Sequence, residues 1–200
     1  MQPKIPTTYG AAFEGGFYAG RIRIDDTEYA LIVAPNGDGD AANVQWNQSA
    51  NNIKGALSYC DGVANTKAMA KAGSELAKWA IGLRIGGFDD WYLPSQDELE
   101  ICYRNLKPGA DRNSLYMRSG INISAVPPTF QYTAANPKQT KAKAFRADGK
   151  QAFAEGWYWT STQHAADSVY AWMQDFGFGT QISNRKSSPN RARAVRRIKI

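Results

Sequence analysis

One stretch of the sequence contains the three residue types of a catalytic triad. Ser161, His164 and Asp167 supply a hydroxyl, an imidazole and a carboxylate, and His164 is the only histidine in the 200 residues. In a triad the base must reach the nucleophile while the acid orients the base. Here all three lie within seven residues, and no oxyanion-hole motif accompanies them. We therefore expect His164 to make a loop contact or a cap, and we assign no catalytic residue.

Carboxylates could support a second chemistry, the hydrolysis of glycosidic bonds. Asp89 and Asp90 stand together before Trp91, and Glu98 follows shortly after. Local structure explains the same residues, because the two aspartates suit a tight turn in which they bond backbone amides. Glu98 completes a capping box that begins at Ser95. A hydrolase that acts on cell-envelope glycans therefore stays as the enzymatic alternative.

The loop at residues 35–40 has the texture of a calcium site. Asn36, Asp38 and Asp40 alternate as the ligands of an EF-hand loop do, but Asn47 occupies the position of the closing glutamate. A plain turn explains the pattern better. We expect no metal and no other cofactor.

Composition is that of an ordinary globular protein. Hydrophobic residues make up 43% of the chain and aromatic residues 12%, which is enough for the core of one domain. The two cysteines, Cys60 and Cys102, form no CxxC pair, so we expect two free thiols buried on helices. The chain contains no run of about 18 apolar residues and no apolar stretch of signal-peptide type at its start. We therefore expect neither membrane insertion nor a signal peptide.

Charge is distributed unevenly along the chain. Residues 1–45 carry 3 basic and 6 acidic side chains (net −3), whereas residues 157–200 carry 7 basic and 2 acidic ones (net +5). A basic tail can bind nucleic acid. Here Arg193, Arg196 and Arg197 are interleaved with apolar residues, which favours a strand with one wet face. We therefore expect no nucleic-acid partner.

Patterns in the first half predict the elements that would position these groups. Residues 1–16 are rich in Pro and Gly and indicate an arm with little packing. Alternating apolar residues predict a β-hairpin over 17–34. Helical spacing predicts helices over 47–61 and 65–83, and Ser95 caps a third helix.

The second half begins with an irregular excursion over residues 107–156, with a short helix near 140–147. Long ordered excursions are often functional or interfacial. Beyond it we predict strands separated by loops at 163–167 and 182–190; these strands cover residues 157–161, 168–176, 177–181 and 191–198. The prediction divides the chain into an arm and hairpin at 1–45 and a domain at 46–200.

Four short motifs, in this order, resemble a family of phage and bacterial proteins. They are GFDDWYLPS at 87–95, YWTST at 158–162, YAW at 170–172 and AVRR at 194–197. The family has a C-type-lectin-like fold, as in the C-terminal domain of a bacterial collagen-like adhesin. The resemblance implies an α+β fold in which helices pack on antiparallel sheets, plus the N-terminal hairpin and arm. It also implies ligand contacts on a loop-rich face near the C-terminus.

The resemblance does not extend to two activities of related folds. Calcium-dependent lectins use a Glu-Pro-Asn or Gln-Pro-Asp loop and a Trp-Asn-Asp strand motif, and none of these occurs here. Formylglycine-generating enzymes need a reactive cysteine pair, whereas Cys60 and Cys102 are predicted on separate helices.

Some phage relatives are receptor-binding tail proteins, so the resemblance implies a non-enzymatic binding protein. Its partner would be a protein or glycan on the host surface. Other tail proteins and further copies of the chain, most simply a trimer, would be assembly partners. The protein would then reside in the virion tail or, before assembly, in the host cytoplasm. A purely structural particle protein is the other alternative.

Some relatives are also variable proteins of diversity-generating retroelements, which rewrite the final coding segment while the scaffold stays fixed. The segment before Arg191 suits this role, because most of its residues are hard to assign to a core. Of its residues, Met173, Phe178 and Arg185 are expected to be exposed anchors for a partner. The predicted ligand-binding residues are Asp167, Ser168, Met173, Asp175, Phe178, Ile182, Ser183, Asn184, Arg185, Ser187, Ser188 and Asn190.

Overall fold

A computed structural model of the protein describes residues 3–116 and 118–200. Within these ranges the chain forms two β-sheets and three α-helices, together with short 3-10 turns at Lys54–Ala56 and Lys143–Phe145. The strands are β1 (Ala12–Phe13), β2 (Gly16–Ile24), β3 (Thr27–Val33), β4 (Asp40–Val44), β5 (Trp157–Gln163), β6 (Tyr170–Asp175), β7 (Gln181–Arg185), β8 (Asn190–Arg193) and β9 (Val195–Lys199). The helices are α1 (Gly62–Lys71), α2 (Glu75–Gly82) and α3 (Gln96–Leu106).

The first sheet joins the two ends of the chain. Its strand order is β1-β2-β3-β9, and β3 pairs antiparallel with β9. The predicted hairpin is confirmed as β2 and β3. The predicted arm is packed more closely than expected, since Tyr9 stacks on Tyr18 with ring centroids 5.9 Å apart and β1 pairs with β2. The first three strands and the last strand are thus held in one sheet.

The second sheet carries the C-terminal segment in the order β4-β8-β5-β6-β7. Its pairs are antiparallel except for a parallel contact between β5 and β8. The single strand predicted at 191–198 is two strands, because the chain passes from one sheet to the other at Ala194. The Ala194 amide donates to Gly39 and its carbonyl accepts from Ala34.

The β6–β7 region differs from the prediction. Residues 177–181 were expected to form a strand, but only Gln181 does, as the first residue of β7. Residues 177–180 form a tight turn because the Asp175 carboxylate accepts hydrogen bonds from the amides of Gly177 and Phe178 at 3.0 and 2.9 Å. The predicted loop at 182–190 was wrong in its first half, which is β7. Only residues 186–189 connect β7 to β8 as a turn.

Helix α3 begins where the sequence predicts. Ser95 accepts from the Glu98 amide while the Glu98 carboxylate accepts from the Ser95 amide, so the predicted capping box is confirmed. The helix packs against β2 of the first sheet and against β5 and β6 of the second. Its two faces therefore lie against both sheets, and nearly all of its side chains are buried.

The other helix predictions were partly wrong. The helix expected over 65–83 is split into α1 and α2, because Gly73 adopts a left-handed φ of +90° and Ser74 caps a new helix. The helix expected over 47–61 is a loop with one 3-10 turn. Side chains in this loop bond the backbone instead, as when Asn47 accepts from the Ser49 amide, and such local bonds compete with a helix.

The cysteines and the excursion also depart from expectation. Cys102 is buried on α3, but Cys60 lies half-buried in the loop before α1; both thiols are free. Where a short helix was predicted near 140–147, the excursion forms only the 3-10 turn Lys143–Phe145, which buries Phe145.

Helices packed on antiparallel sheets confirm the α+β class. Within the described residues, no helix combines the length and the apolar character required to cross a membrane.

Candidate ligand-binding face

The predicted ligand-binding residues fall at two ends of the β6–β7 pair and in the core between them. Asp167 and Ser168 precede β6, close to the turn between β7 and β8. Phe178 lies in the turn at the opposite end of the same strands. Of the remaining residues, Ile182 and Ser183 lie half-buried on β7, and Asn190 begins β8. The predicted ligand-binding residues therefore do not form one continuous surface.

Two predicted contact residues are buried. Met173 is 2% exposed and packs in a cluster with Trp159 and Leu93. Asp175 is 7% exposed, and its carboxylate is used by the turn that follows it. The expectation that Met173 is an exposed anchor was wrong, because it points to the core side of β6. Exposure is confirmed for Phe178 and Arg185.

A coherent surface remains around the ends of β5, β6 and β7. We call it the polar loop face, and it comprises Asp167, Ser168, Asn184, Arg185, Ser187 and Ser188. The Lys186 amide donates to the Val169 carbonyl at 3.0 Å, and this bond holds the loop before β6 beside the turn between β7 and β8. Across the β6–β7 pair, the Arg185 guanidinium lies 5.9 Å from the centre of the Tyr170 ring.

Side chains in the polar loop face take little part in the core. Asp167, Arg185 and Ser187 are exposed. Within the described residues, the hydroxyls of Ser168 and Ser187 make no hydrogen bond to the protein, and neither does the guanidinium of Arg185. These groups can donate to or accept from a ligand without losing a structural partner.

Lys186 fixes the turn beneath this face. It is 2% exposed, and its ammonium donates to the Asn51 carbonyl at 2.9 Å and to Gln163 Oε1 at 2.7 Å. The ammonium also lies 4.6 Å from the centre of the Trp46 ring. Burial lowers the pKa of Lys186 to about 8. Lys186 is thus a structural cation within a segment predicted to bind ligand.

An open groove of about 690 Å³ adjoins the face. It runs between β4, the start of α2 and Pro189, and Trp79 forms part of its lining together with Asn43 and Gln48. Within the described residues, the amide groups of Asn43 and Gln48 have no protein partner. Amides beside an aromatic ring are suited to hold a small polar ligand.

The triad candidates do not converge on a catalytic arrangement. His164 Nδ1 accepts a hydrogen bond from the Asp167 amide at 3.1 Å, and its ring lies 5.4 Å from that of Trp172. Ser161 is fully buried, and its hydroxyl lies 3.4 Å from the side chain of Asn65. The imidazole therefore makes the loop contact expected from the sequence.

Two of the three carboxylates of the hydrolase alternative, Asp90 and Glu98, have structural partners, whereas Asp89 makes no side-chain hydrogen bond or ion pair within the described residues. Asp90 forms two hydrogen bonds with Arg196, at 2.6 and 2.9 Å. It was expected to bond backbone amides in its turn, and this was wrong. Glu98 is fully buried and accepts from the Tyr92 hydroxyl at 2.6 Å, besides the amides of Gly62 and Ser95. Burial raises the pKa of Glu98, and the nearby Arg197 opposes that rise.

The loop at residues 35–40, which was predicted as a plain turn despite its calcium-site texture, takes part in packing. Asp40 pairs with Arg191 at 3.3 Å, and the Asn36 amide donates to Gln151. In the part of the chain that the structure describes, no three His, Cys, Asp or Glu side chains are grouped as metal ligands.

The sequence model of the Lcl C-terminal domain family matches residues 39–196, more than three quarters of the chain. The chain belongs to this family. The match begins just before β4 and ends within β9, so it includes the three helices, the excursion and the polar loop face. A search of curated proteins finds no match. Membership supports a ligand-binding protein of the variable type that the four motifs suggested.

Two arginines near the end of the matched Lcl C-terminal segment are buried, contrary to the expectation of a wet strand face. Arg193 is fully buried, donates to the carbonyls of Ala34 and Gln151, and lies 4.6 Å from the centre of the Phe153 ring. Burial lowers its pKa to about 10. Arg196 is 5% exposed and pairs with Asp90. Neither guanidinium is available to a nucleic-acid phosphate.

Sequence reasoning missed the buried acids that attach the excursion of this Lcl C-terminal domain to α3. Asp97 pairs with Arg118 at 2.8 Å. Glu100, 1% exposed, accepts from Asn122 at 2.8 Å and from the Tyr132 hydroxyl at 2.9 Å. The sequence does contain a signal for the burial of Glu100. Its neighbours Leu99 and Ile101 lie on either side of it around the helix, and apolar residues on both sides of an acid indicate a helix that is buried all round.

Proposed function

We propose that this protein is a non-enzymatic binding protein that recognises a host-surface receptor through the polar loop face. The proposal rests on one contrast, between the side chains of this face and the turn between β7 and β8 that supports them. The side chains have few protein partners, whereas the turn beneath them is fixed by the buried ammonium of Lys186. A preorganised surface of this kind loses little conformational entropy on binding.

The family assignment supports the ligand-binding part of the proposal. The setting in a phage tail rests on the four motifs, and we propose it on that basis. The groove beside Trp79 enlarges the surface available to a receptor and has room for a sugar or a side chain. Receptor protein and receptor glycan are therefore both within the proposal.

A binding role is favoured over a glycan hydrolase by the state of the carboxylates. A hydrolase needs one carboxyl group that donates a proton and another that acts on the sugar or on water. Here Glu98 is buried beneath three donors and Asp90 faces Arg196. These contacts supply a structural reason for both residues.

We further propose that the coding segment for this face is diversified by a retroelement. Residues 167–168, 184–185 and 187–188 are exposed or half-buried, whereas Trp172, Met173 and Lys186 are buried, so variation can be confined to the accessible positions. A second near-copy of the coding segment in the source genome, differing at adenines, would support this. A source genome with neither that copy nor a reverse transcriptase would contradict it.

The receptor proposal is tested by adsorption of labelled protein to intact cells across the host range. The face variant combines Ser168→Trp, Arg185→Ala and Ser187→Trp, because these side chains make no structural hydrogen bond. A matched control carries Lys141→Ala and Ala147→Trp, two exposed sites on the excursion. We expect wild type and control to adsorb, and the face variant to lose adsorption with an unchanged melting temperature.

Adsorption that survives in the folded face variant would place the receptor site elsewhere and contradict the proposal. Failure of the wild type to adsorb to any host cell would favour a structural particle protein. Release of sugars from cell-envelope material by the wild type would favour the hydrolase.

A further inference from the structure

A group of large apolar side chains is exposed on the excursion and the β6–β7 turn. Phe130 is 81% exposed and Ile123 is 78% exposed, and each of the others is more than 40% exposed. We call the group the apolar patch; it comprises Leu115, Tyr116, Ile121, Ile123, Phe130 and Phe178. Exposed aromatic and aliphatic side chains scattered singly are ordinary, whereas a group on adjoining segments indicates a contact surface.

Hydrogen bonds join the segments that carry these six residues. The Ser114 amide donates to the Phe178 carbonyl at 2.7 Å, which joins the excursion to the β6–β7 turn. The Gln131 side chain donates to the Leu115 carbonyl at 3.0 Å. Asn122 and Thr129 exchange two backbone hydrogen bonds at 3.1 and 2.9 Å, which brings the Ile121–Ile123 segment beside Phe130.

The backbone that carries the apolar patch is anchored to helix α3. Arg104 on α3 donates to the carbonyls of Gly120 and Phe130 at 2.7 and 2.9 Å. The same guanidinium is held by Glu100 at 2.9 Å. A surface whose backbone is tied to a buried helix keeps its shape before it meets a partner, and this reduces the entropy lost on association.

The exposed area approaches that of a stable interface. With about 200 Å² for each large side chain, the six exposed fractions amount to roughly 700 Å². The largest apolar patch on a typical monomer is about 300–600 Å², and a standard interface buries about 800 Å² on each partner. We propose that the apolar patch is the surface through which copies of this chain associate with each other.

The charges beside the patch are compatible with self-association. The chain has a net charge of +6, so two copies repel unless the charges near their contact are balanced. Arg118 is paired with Asp97 at 2.8 Å, and Arg104 with Glu100. The six patch residues carry no charge themselves. An interface depleted of charge at its centre is typical of homo-oligomers.

The position of the patch also suits an assembly of binding proteins. Its member Phe178 lies at the opposite end of β6 and β7 from the polar loop face, roughly 20 Å away for strands of this length. Copies joined at the patch would leave every polar loop face open. Linked weak sites can increase apparent affinity by about 10²–10⁴.

The experiment measures the molar mass of the chain in solution by light scattering and sedimentation velocity from about 1 to 100 µM. The patch variant is Ile123→Ser with Phe130→Ser, and a second variant is Phe178→Asp alone. Ile81→Ser, an exposed apolar side chain on α2, is the control. We expect a multiple of 22.0 kDa for wild type and control, and 22.0 kDa for both patch variants. Circular dichroism confirms that each variant is folded.

A wild-type chain that stays at 22.0 kDa throughout this range overturns the proposal. So does a folded patch variant that keeps the wild-type mass, because copies would then associate elsewhere. Neither measurement involves a receptor, so failure here is distinguishable from failure of the binding function.

Discussion

Arg196 on β9 lies against Asp90, 106 residues earlier in the chain, with its Nε and Nη2 at 2.6 and 2.9 Å from the two carboxylate oxygens. The guanidinium also lies 3.8 Å from the centre of the Phe88 ring. This contact joins the GFDDWYLPS motif to the AVRR motif. Two of the four motifs that carry the family resemblance therefore meet as structural partners, away from the polar loop face.

We predict that Asp90→Asn destabilises the fold and that Asp89→Asn does not. Arg196 is 5% exposed, and Asp90→Asn leaves the buried guanidinium of Arg196 without a negative partner. This should lower the free energy of unfolding by about 1–3 kcal/mol. Asp89 makes no side-chain hydrogen bond or ion pair within the described residues, so we expect a change below about 0.5 kcal/mol. Urea denaturation of the two variants checks this. Equal stabilities would mean that the pair contributes nothing.

The buried acids of α3 predict an unusual pH dependence. Burial raises the pKa of Asp97, Glu98 and Glu100 above the values of the unfolded chain, and the neighbouring arginines only partly oppose the rise. Between the unfolded and folded pKa values, the folded state binds more protons than the unfolded state. Their contribution to stability is therefore full below the unfolded pKa and is lost as pH rises through the folded pKa.

We therefore predict that the free energy of unfolding increases when the pH is lowered from 7 to 5. Glu98→Gln should reduce this increase, because a glutamine side chain takes up no proton in this range. Its amide oxygen can still replace the carboxylate oxygen that accepts from Gly62 and Ser95, so the variant should fold. Glu75→Gln, on the exposed surface of α2, is the control and should leave the profile unchanged. Denaturant titrations at intervals of half a pH unit measure the slope. A wild-type stability that falls on acidification contradicts the prediction.

The sequence predicted elements whose determinants are local. The capping box of α3 requires only Ser95 and Glu98, three residues apart, and it is present in the structure. The β2–β3 hairpin requires an alternating pattern and a short turn, and it too is confirmed. A helix was predicted over 47–61 because Ile53, Leu57 and Cys60 have helical spacing, while the competing bonds of Asn47 and Ser49 to the backbone were not considered.

Contacts between distant segments could not be predicted in this way. The division of the basic C-terminal segment between two sheets depends on its pairing with β4 and β3, whose partner residues lie between 146 and 170 positions earlier. For the same reason, Arg193 and Arg196 were expected to face solvent, although they bond carbonyl and carboxylate groups far away in sequence. A charge pattern specifies the composition of a strand but not the partners that bury it.

Within the predicted site, we expect truncation to alanine to destabilise the fold at Met173 and to leave its stability nearly unchanged at Arg185. Met173→Ala removes a side chain packed beside Trp159 and Leu93 and should cost about 2–5 kcal/mol of stability. Arg185→Ala removes an exposed side chain and should cost less than about 0.5 kcal/mol. Thermal unfolding of the two single variants, alongside adsorption to cells, separates folding from recognition. A melting temperature for Met173→Ala equal to that of wild type would return Met173 to the list of surface residues.

Lys186 supplies a prediction on the alkaline side. Its folded pKa of about 8 lies below the ordinary lysine value of about 10.4 because burial disfavours the ammonium. Between these values the unfolded chain holds a proton that the folded chain has released. The free energy of unfolding therefore increases with pH in this window, by up to about 1.4 kcal/mol per pH unit. Above about pH 10 the buried tyrosines oppose the effect, since burial also raises the pKa of Tyr158 to about 12.

We predict that wild-type stability rises between pH 8 and 9.5 and that Lys186→Met removes this rise. Methionine has a length similar to that of lysine and can still pack against Trp46, although the acceptors at Asn51 and Gln163 lose their donor. Lys71→Met, on the exposed end of α1, controls for the loss of one positive charge and should keep the wild-type slope. Parallel slopes for wild type and Lys186→Met would mean that the ammonium stays charged throughout. Its two oxygen acceptors and the ring of Trp46 would then compensate fully for its burial.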